Sequence, residues 1–223
     1  MKTNLFKFIL SSFFVLCLFP VITYAETDEP TVTFEKQELK EKITQETLDY
    51  LLEQADGEDI IIHDVYEPIT DLVDYNLLVP DLGVQPNAIW HSYSITSRVF
   101  SHRAPLAAQL YASVPRGQTL TLSTSFTSTN SLSIGGGIPV GAKGEITATF
   151  GTNKTKTIKK GIKLKGPGKS YKYRQYYITR FQDHGTFKLI EKNIFTGGKK
   201  TYKKSYAKPS SQDPFVNWSR DVK

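Results

Sequence analysis

Cysteine is almost missing from this chain: Cys17 is the only one in 223 residues. It sits in the apolar run "FILSSFFVLCLFPVI", which follows the basic start "MKTNLFK" and precedes "TYA". A charged start, a short apolar centre and a small residue at the end are the parts of a secretory signal peptide. Cleavage is expected after Ala25, which makes the protein secreted. Leu16 occupies the position where a lipoprotein signal needs a small residue, so Cys17 is not expected to carry a lipid. A mature chain of residues 26–223 would then have no disulfide, no thiolate nucleophile and no zinc–sulfur site. It must rely on its hydrophobic core, and its length is enough to bury one. Long apolar runs are scarce as well. Pro20 breaks the first, and no later run reaches membrane-spanning length.

Catalytic and metal-binding patterns are equally sparse. The four histidines are His63, His91, His102 and His184, and none shares a helical spacing with a nearby glutamate as a zinc-protease helix requires. Asp183 and His184 are adjacent and point opposite ways on a strand. There is no Gly-x-Ser-x-Gly elbow, although the many serines leave a scattered Ser–His–Asp triad open. "DGEDI" (56–60) lacks the alternating ligands of a calcium loop. "GGIPVGAK" (136–143) has the glycine separation of a phosphate loop, but Ala142 and Lys143 stand where lysine and Ser/Thr belong. Pro139 also removes an N–H, so the stretch reads as a turn. The expectation is a non-enzymatic protein with no cofactor and no metal.

Charge is present but unevenly spread. Residues 26–90 hold 17 acids against three lysines, a net −14, while residues 91–223 hold 23 bases against five acids, a net +18. The split fits an acidic segment docked on a basic body, an acidic tail beside an anion-binding surface, or two solvated faces.

Periodicity divides the chain into a signal (1–25), an acidic N-terminal segment with a helix (26–87) and a basic antiparallel β domain (88–223). In "TQETLDYLLEQADG", Leu48, Leu51, Leu52 and Ala55 share one helix face, with Thr44 as N-cap and Gly57 as the stop. "IIIHDVY" (60–66) reads as a buried strand, and residues 67–88 as a loop-rich crossing broken by Pro68, Pro80, Gly83 and Pro86. Further strands are expected at 88–100, 105–114, 169–181, 185–195 and 199–206. The C-terminal "KPSSQDPFVNWSRDVK" reads as irregular, anchored by Phe215 and Trp218. The fold class is therefore mainly β: a long-stranded antiparallel sheet or sandwich with one short N-terminal helix.

Hydroxyls are abundant. From Thr119 to Ser133 every odd position is Ser or Thr, and residues 145–157 repeat a polar, mostly hydroxylated odd face beyond a glycine-rich turn. Residues 118–158 read as one long β-hairpin, with Thr and Ser opposed across its strands. The segment from Arg116 to about Phe181, through "TLTLSTSFTSTNSLSI", the glycine-rich turn and "KGEITATFGTNKTKT", resembles aerolysin-type β-pore-forming toxins. That resemblance implies long twisted strands and a Ser/Thr-rich hairpin that inserts on oligomerisation. Its insertion candidates are Leu132, Ile134, Ile138, Val140, Ile146, Ala148 and Phe150. Lys154 and Lys156 continue the same face, at a cost of about 2–4 kcal/mol each at a bilayer midplane.

The strongest surface signal is "KSYKYRQYYITR" (169–180). On a strand, Lys172, Arg174 and Arg180 share a face with Tyr176, opposite Tyr171, Tyr173 and Tyr177. A cationic face flanked by tyrosines suits an anionic cell-envelope polymer or membrane surface. The expected contributors are Lys159, Lys160, Lys172, Arg174, Arg180, Lys203 and Lys204. Secretion argues against nucleic acid as partner, and an oligomer is expected only for a pore. The bland alternative makes the tyrosines half-buried packing. A third reading has the acidic helix 45–56 docking a target protein, as a secreted binding or inhibitor module.

Overall fold

The computed structural model describes residues 30–66, 90–168, 170–211 and 214–223, the His102 side chain excepted. The expected signal peptide and the proline-punctuated crossing after Tyr66 lie outside the described residues.

The fold is mainly β and is organised by one 21-residue strand, β10 (Tyr173–Asn193). Strands β3 (His91–Pro105) and β4 (Gln109–Pro115) follow each other along one edge of β10; β11 (Lys199–Pro209) and β12 (Phe215–Val222) follow each other along the other. All pairings are antiparallel: Tyr173–Arg180 meets β4 and β12, and Gln182–Asn193 meets β3 and β11. Outside β12 lies β2 (Ile60–Tyr66), which pairs in parallel with β1 (Val32–Phe34). Outside β11 lies the short β7 (Ser133–Ile134).

The sequence divides 169–195 into two strands at "QDHG", but the backbone runs straight through. Asp183 is almost fully buried and accepts from the N–H groups of Arg103 and Ser211. Gly185 lies against the Arg98 carbonyl and the Tyr206 ring, where a Cβ would clash. This "turn" glycine is therefore a close-approach glycine. The C-terminal stretch expected to be irregular is the central strand β12, with Val216 and Trp218 fully buried. It is covered on both faces, so it lacks the polar/apolar alternation that marks a half-exposed strand.

Helix α1 (Leu39–Lys42) and helix α2 (Gln45–Gln54) precede β2. Thr44 caps α2 as expected, its side chain accepting from the Thr47 N–H. Leu51 and Ala55 pack with Ile60, Ile62, Phe181, Val216 and Trp218 into the largest core cluster. Arg220 of β12 donates to the Gln54 and Ala55 carbonyls, placing a cation at the helix C-terminus.

The opposite face of this half is covered by two small ladders. Strands β5 (Thr119–Thr121) and β9 (Lys163–Lys165) form one, and β6 (Phe126–Asn130) and β8 (Lys154–Ile158) the other. Both keep one register, centred on residue 142. The hydroxyl face is real: Thr127 pairs with Thr157 and Thr129 with Thr155, Oγ1 to Oγ1 at 3.2 and 3.3 Å. The other face points inward. Ile158 and Phe126 pack near Ile178 and Phe215, Asn130 is fully buried against the Phe181 carbonyl and Gln182, and Lys156 lies over the Tyr66 ring.

The hairpin does not extend to its glycine-rich tip. Residues 140–142 form a 3-10 turn and Lys143–Phe150 form helix α3. Ala142, Ile146 and Phe150 are spaced by four, a helical stripe, and they pack on Phe187, Leu189 and Tyr206. That tertiary face overrides the strand-like alternation of "EITATF". As a result the insertion candidates are not two strand faces. Ile146 and Phe150 are buried helix residues, Ala148 is exposed on the same helix, and Leu132, Ile134 and Ile138 pack partly buried beside it. Val140 is exposed.

Candidate anion-binding face

Past Gln182 the described residues cover the sheet on one side only. Phe187 and Leu189 of β10 face α3, so residues 186, 188, 190 and 192 face the other way, because side chains alternate along a strand. The registers align four rows across β3, β10 and β11: Arg98–Thr186–Ser205, Thr96–Lys188–Lys203, Ser94–Ile190–Thr201 and Ser92–Lys192–Lys199. All of these residues are exposed except Ile190, which is half-buried. With strands about 4.8 Å apart and same-face neighbours about 6.8 Å apart, five cations and six hydroxyls form a continuous grid. Among the described residues of this grid none is acidic. Glu191 lies on the opposite face, bound by the Tyr202 hydroxyl at 2.7 Å and His91 at 3.1 Å.

Two rows set lysine directly opposite lysine: Lys188 against Lys203, and Lys192 against Lys199. Like charges at directly opposed positions destabilise a sheet. Hydroxyls beside them donate hydrogen bonds to anionic oxygens without adding charge.

Of the sequence-derived cations, the structure places only Lys203 on this grid. Lys204 is on the opposite face, near Gly137. Lys159 and Lys160 are exposed in the turn between β8 and β9, and Lys172 is exposed just before β10. Arg174 makes a two-point ion pair with Asp221, Nε to Oδ1 at 2.6 Å and Nη2 to Oδ2 at 2.8 Å. Arg180 donates to the Thr129 carbonyl, tying the hairpin layer to the sheet. Tyr173 is exposed, but the other tyrosines beside them are committed to the fold. Tyr177 stacks on Trp218 at 4.7 Å, and Tyr171 donates to Asp59, which pushes its phenol up to about 12. Sequence reading missed Arg98, Lys188, Lys192 and Lys199. They come from three separated strands and share a face only once the register is known.

One side-chain network, running from a buried serine to an exposed carboxylate, has the bond order of a hydrolase triad. Ser219 Oγ lies 2.8 Å from His63 Nε2, and His63 Nδ1 lies 2.8 Å from Glu35 Oε2. Burial holds the His63 imidazole below its ordinary pKa, although Glu35 pulls it up, so Nδ1–H donates to the carboxylate and Nε2 accepts from Ser219. Ser219, however, is fully buried on the central strand β12, and the Tyr176 ring stacks on His63 at 5.2 Å. A substrate carbonyl has no approach to Oγ in this arrangement. The network ties β2 to β12.

Compared with known proteins, the chain matches no family model, no curated protein and no solved structure.

Proposed function

We propose that this is a secreted, non-enzymatic protein that binds an anionic extracellular surface, an envelope polymer or lipid headgroups, through the Ser/Thr/Lys grid of β3, β10 and β11. The observation that carries the reading is the pair of opposed lysine rows on an exposed face where the described residues place no acid. Such rows are unfavourable on their own, and a polyanion laid across them converts repulsion into attraction. Binding of this kind weakens as the Debye length shrinks from about 10 Å at 0.1 M salt to about 3 Å at 1 M. Retention on immobilised dextran sulfate is expected to fall steeply over that range. Salt-insensitive retention, or none at low salt, rejects the reading.

A second reading, pore formation by the segment between Asn130 and Lys154, is favoured by the common register of the two hairpin ladders. Extending that register would set Ile134 opposite Phe150 and Ile138 opposite Ile146, the pairing an inserted hairpin needs. In that case α3 must unwind. Ser133 and Ala207 are cross-strand partners of β7 and β11, within range of a disulfide. The variant Ser133→Cys/Ala207→Cys should release dye from liposomes when reduced and not when oxidised. Equal leakage in both states, or no leakage from the unmodified protein, removes the pore reading.

A further inference from the structure

The lysine grid ends at a hydrophobic tip. The turn joining β10 to β11 carries Ile194 at 57 % and Phe195 at 69 % exposure, and Trp90 at 44 % stands beside it. The rings of Trp90 and Phe195 are 4.4 Å apart, and the Ile194 N–H donates to the Trp90 carbonyl. The turn is built to hold these side chains outward. Asn193 Oδ1 accepts from the N–H groups of Phe195 and Thr196, and its carbonyl accepts from Gly197, whose φ is +69°. Three large apolar side chains, two on an ordered turn and one beside it, are held in water at a hydrophobic cost that grows with the apolar area exposed. The first row beneath the tip is Lys192–Lys199, with exposed Lys200 next in sequence on the opposite face.

We infer that the Trp90–Ile194–Phe195 tip enters the interfacial region of an anionic lipid bilayer, with Lys192, Lys199 and Lys200 seated at headgroup depth. The inference rests on the grid reading above and names the membrane as its ligand. Charge complementarity selects the bilayer. An aromatic pair and an aliphatic residue match the water–hydrocarbon boundary, and long lysine stems extend along apolar surface while their ammonium groups stay among phosphates. A soluble polyanion would use the lysines and leave the tip idle.

The test uses the intact protein, vesicles of phosphatidylglycerol in phosphatidylcholine, and dextran sulfate as the lipid-free polyanion. The chain has two tryptophans, Trp90 and the fully buried Trp218, so a change of emission on vesicle binding reports Trp90. The expected results are a blue shift and quenching by brominated acyl chains. Ile194→Ala/Phe195→Ala should bind vesicles roughly tenfold or more weakly with unchanged retention on dextran sulfate and an unchanged far-ultraviolet spectrum. Vesicle binding without quenching of Trp90, or with no loss in the double variant, overturns the inference. Dextran sulfate retention with no vesicle binding also overturns it and leaves the grid reading standing. Failure to bind either probe rejects both.

Discussion

Lys188→Glu is expected to make the protein more stable and worse at binding. Lys188 and Lys203 are directly opposed on exposed strands, and such like-charge pairs cost about 0.2–1 kcal/mol. A single reversal turns repulsion into a cross-strand ion pair. The expected gain is about 0.5–1 kcal/mol, which for a chain of this size raises Tm by roughly 1–4 °C. The double variant Lys188→Glu/Lys203→Glu restores like-charge repulsion and should return close to the starting stability. Binding moves differently. Each lysine near an anionic surface contributes about 1 kcal/mol, and each reversal shifts the local charge by two. The double variant should therefore lose about 4 kcal/mol, on the order of a thousandfold in Kd. Thermal melts and vesicle co-sedimentation on the same samples read both effects. A single variant that binds normally would reduce the grid to a solvated surface.

Gly185→Ala should damage the fold more than any exposed substitution. A Cβ at 185 would lie 2.2 Å from the Arg98 carbonyl oxygen and 2.6 Å from the Tyr206 ring. The ring is hemmed in by Phe150 and Phe187, and the carbonyl belongs to β3, so neither neighbour yields easily. Overpacking a tight site costs about 1–3 kcal/mol and sometimes more, and backbone contact places this site at the upper end. A loss of about 3 kcal/mol lowers Tm by roughly 6–12 °C. Dextran sulfate retention well below the melt should weaken as well, because Gly185 sits in the β3–β10 ladder next to the Arg98–Thr186 row. A melt within a degree of the unmodified protein would show that β3 and β10 can separate there without cost.

The mainly β character, helix α2 with its Thr44 cap, and the threonine ladder of β6 and β8 were all legible in the sequence. Each rests on local information: spacing along one element or alternation along one strand. The rest depended on partners. "EITATF" alternates like a strand, and only the sheet surface formed by Phe187, Leu189 and Tyr206 selects its fourfold stripe instead. "FVNWSRDV" shows no alternation because both of its faces are buried. Gly185 looks like punctuation until Tyr206 is seen against it. Basic residues could be counted but not sorted. Arg174 and Arg180 are absorbed by Asp221 and the Thr129 carbonyl, whereas Lys188 and Lys192, unremarkable in the sequence, stand in the exposed rows.

The position of β12 bears on how the chain reaches this state. It lies C-terminal to every other described strand, yet it sits between β2 and β10. Until residues 215–222 are available, β2 has no antiparallel neighbour, α2 has no Trp218 to cover, and His63 has no Ser219. Residues 215–222 must therefore be made before the central ladder can close. Among the described strands, the pairing that joins the most distant segments is the last that can form, and hydrogen bonds and packing alone hold it.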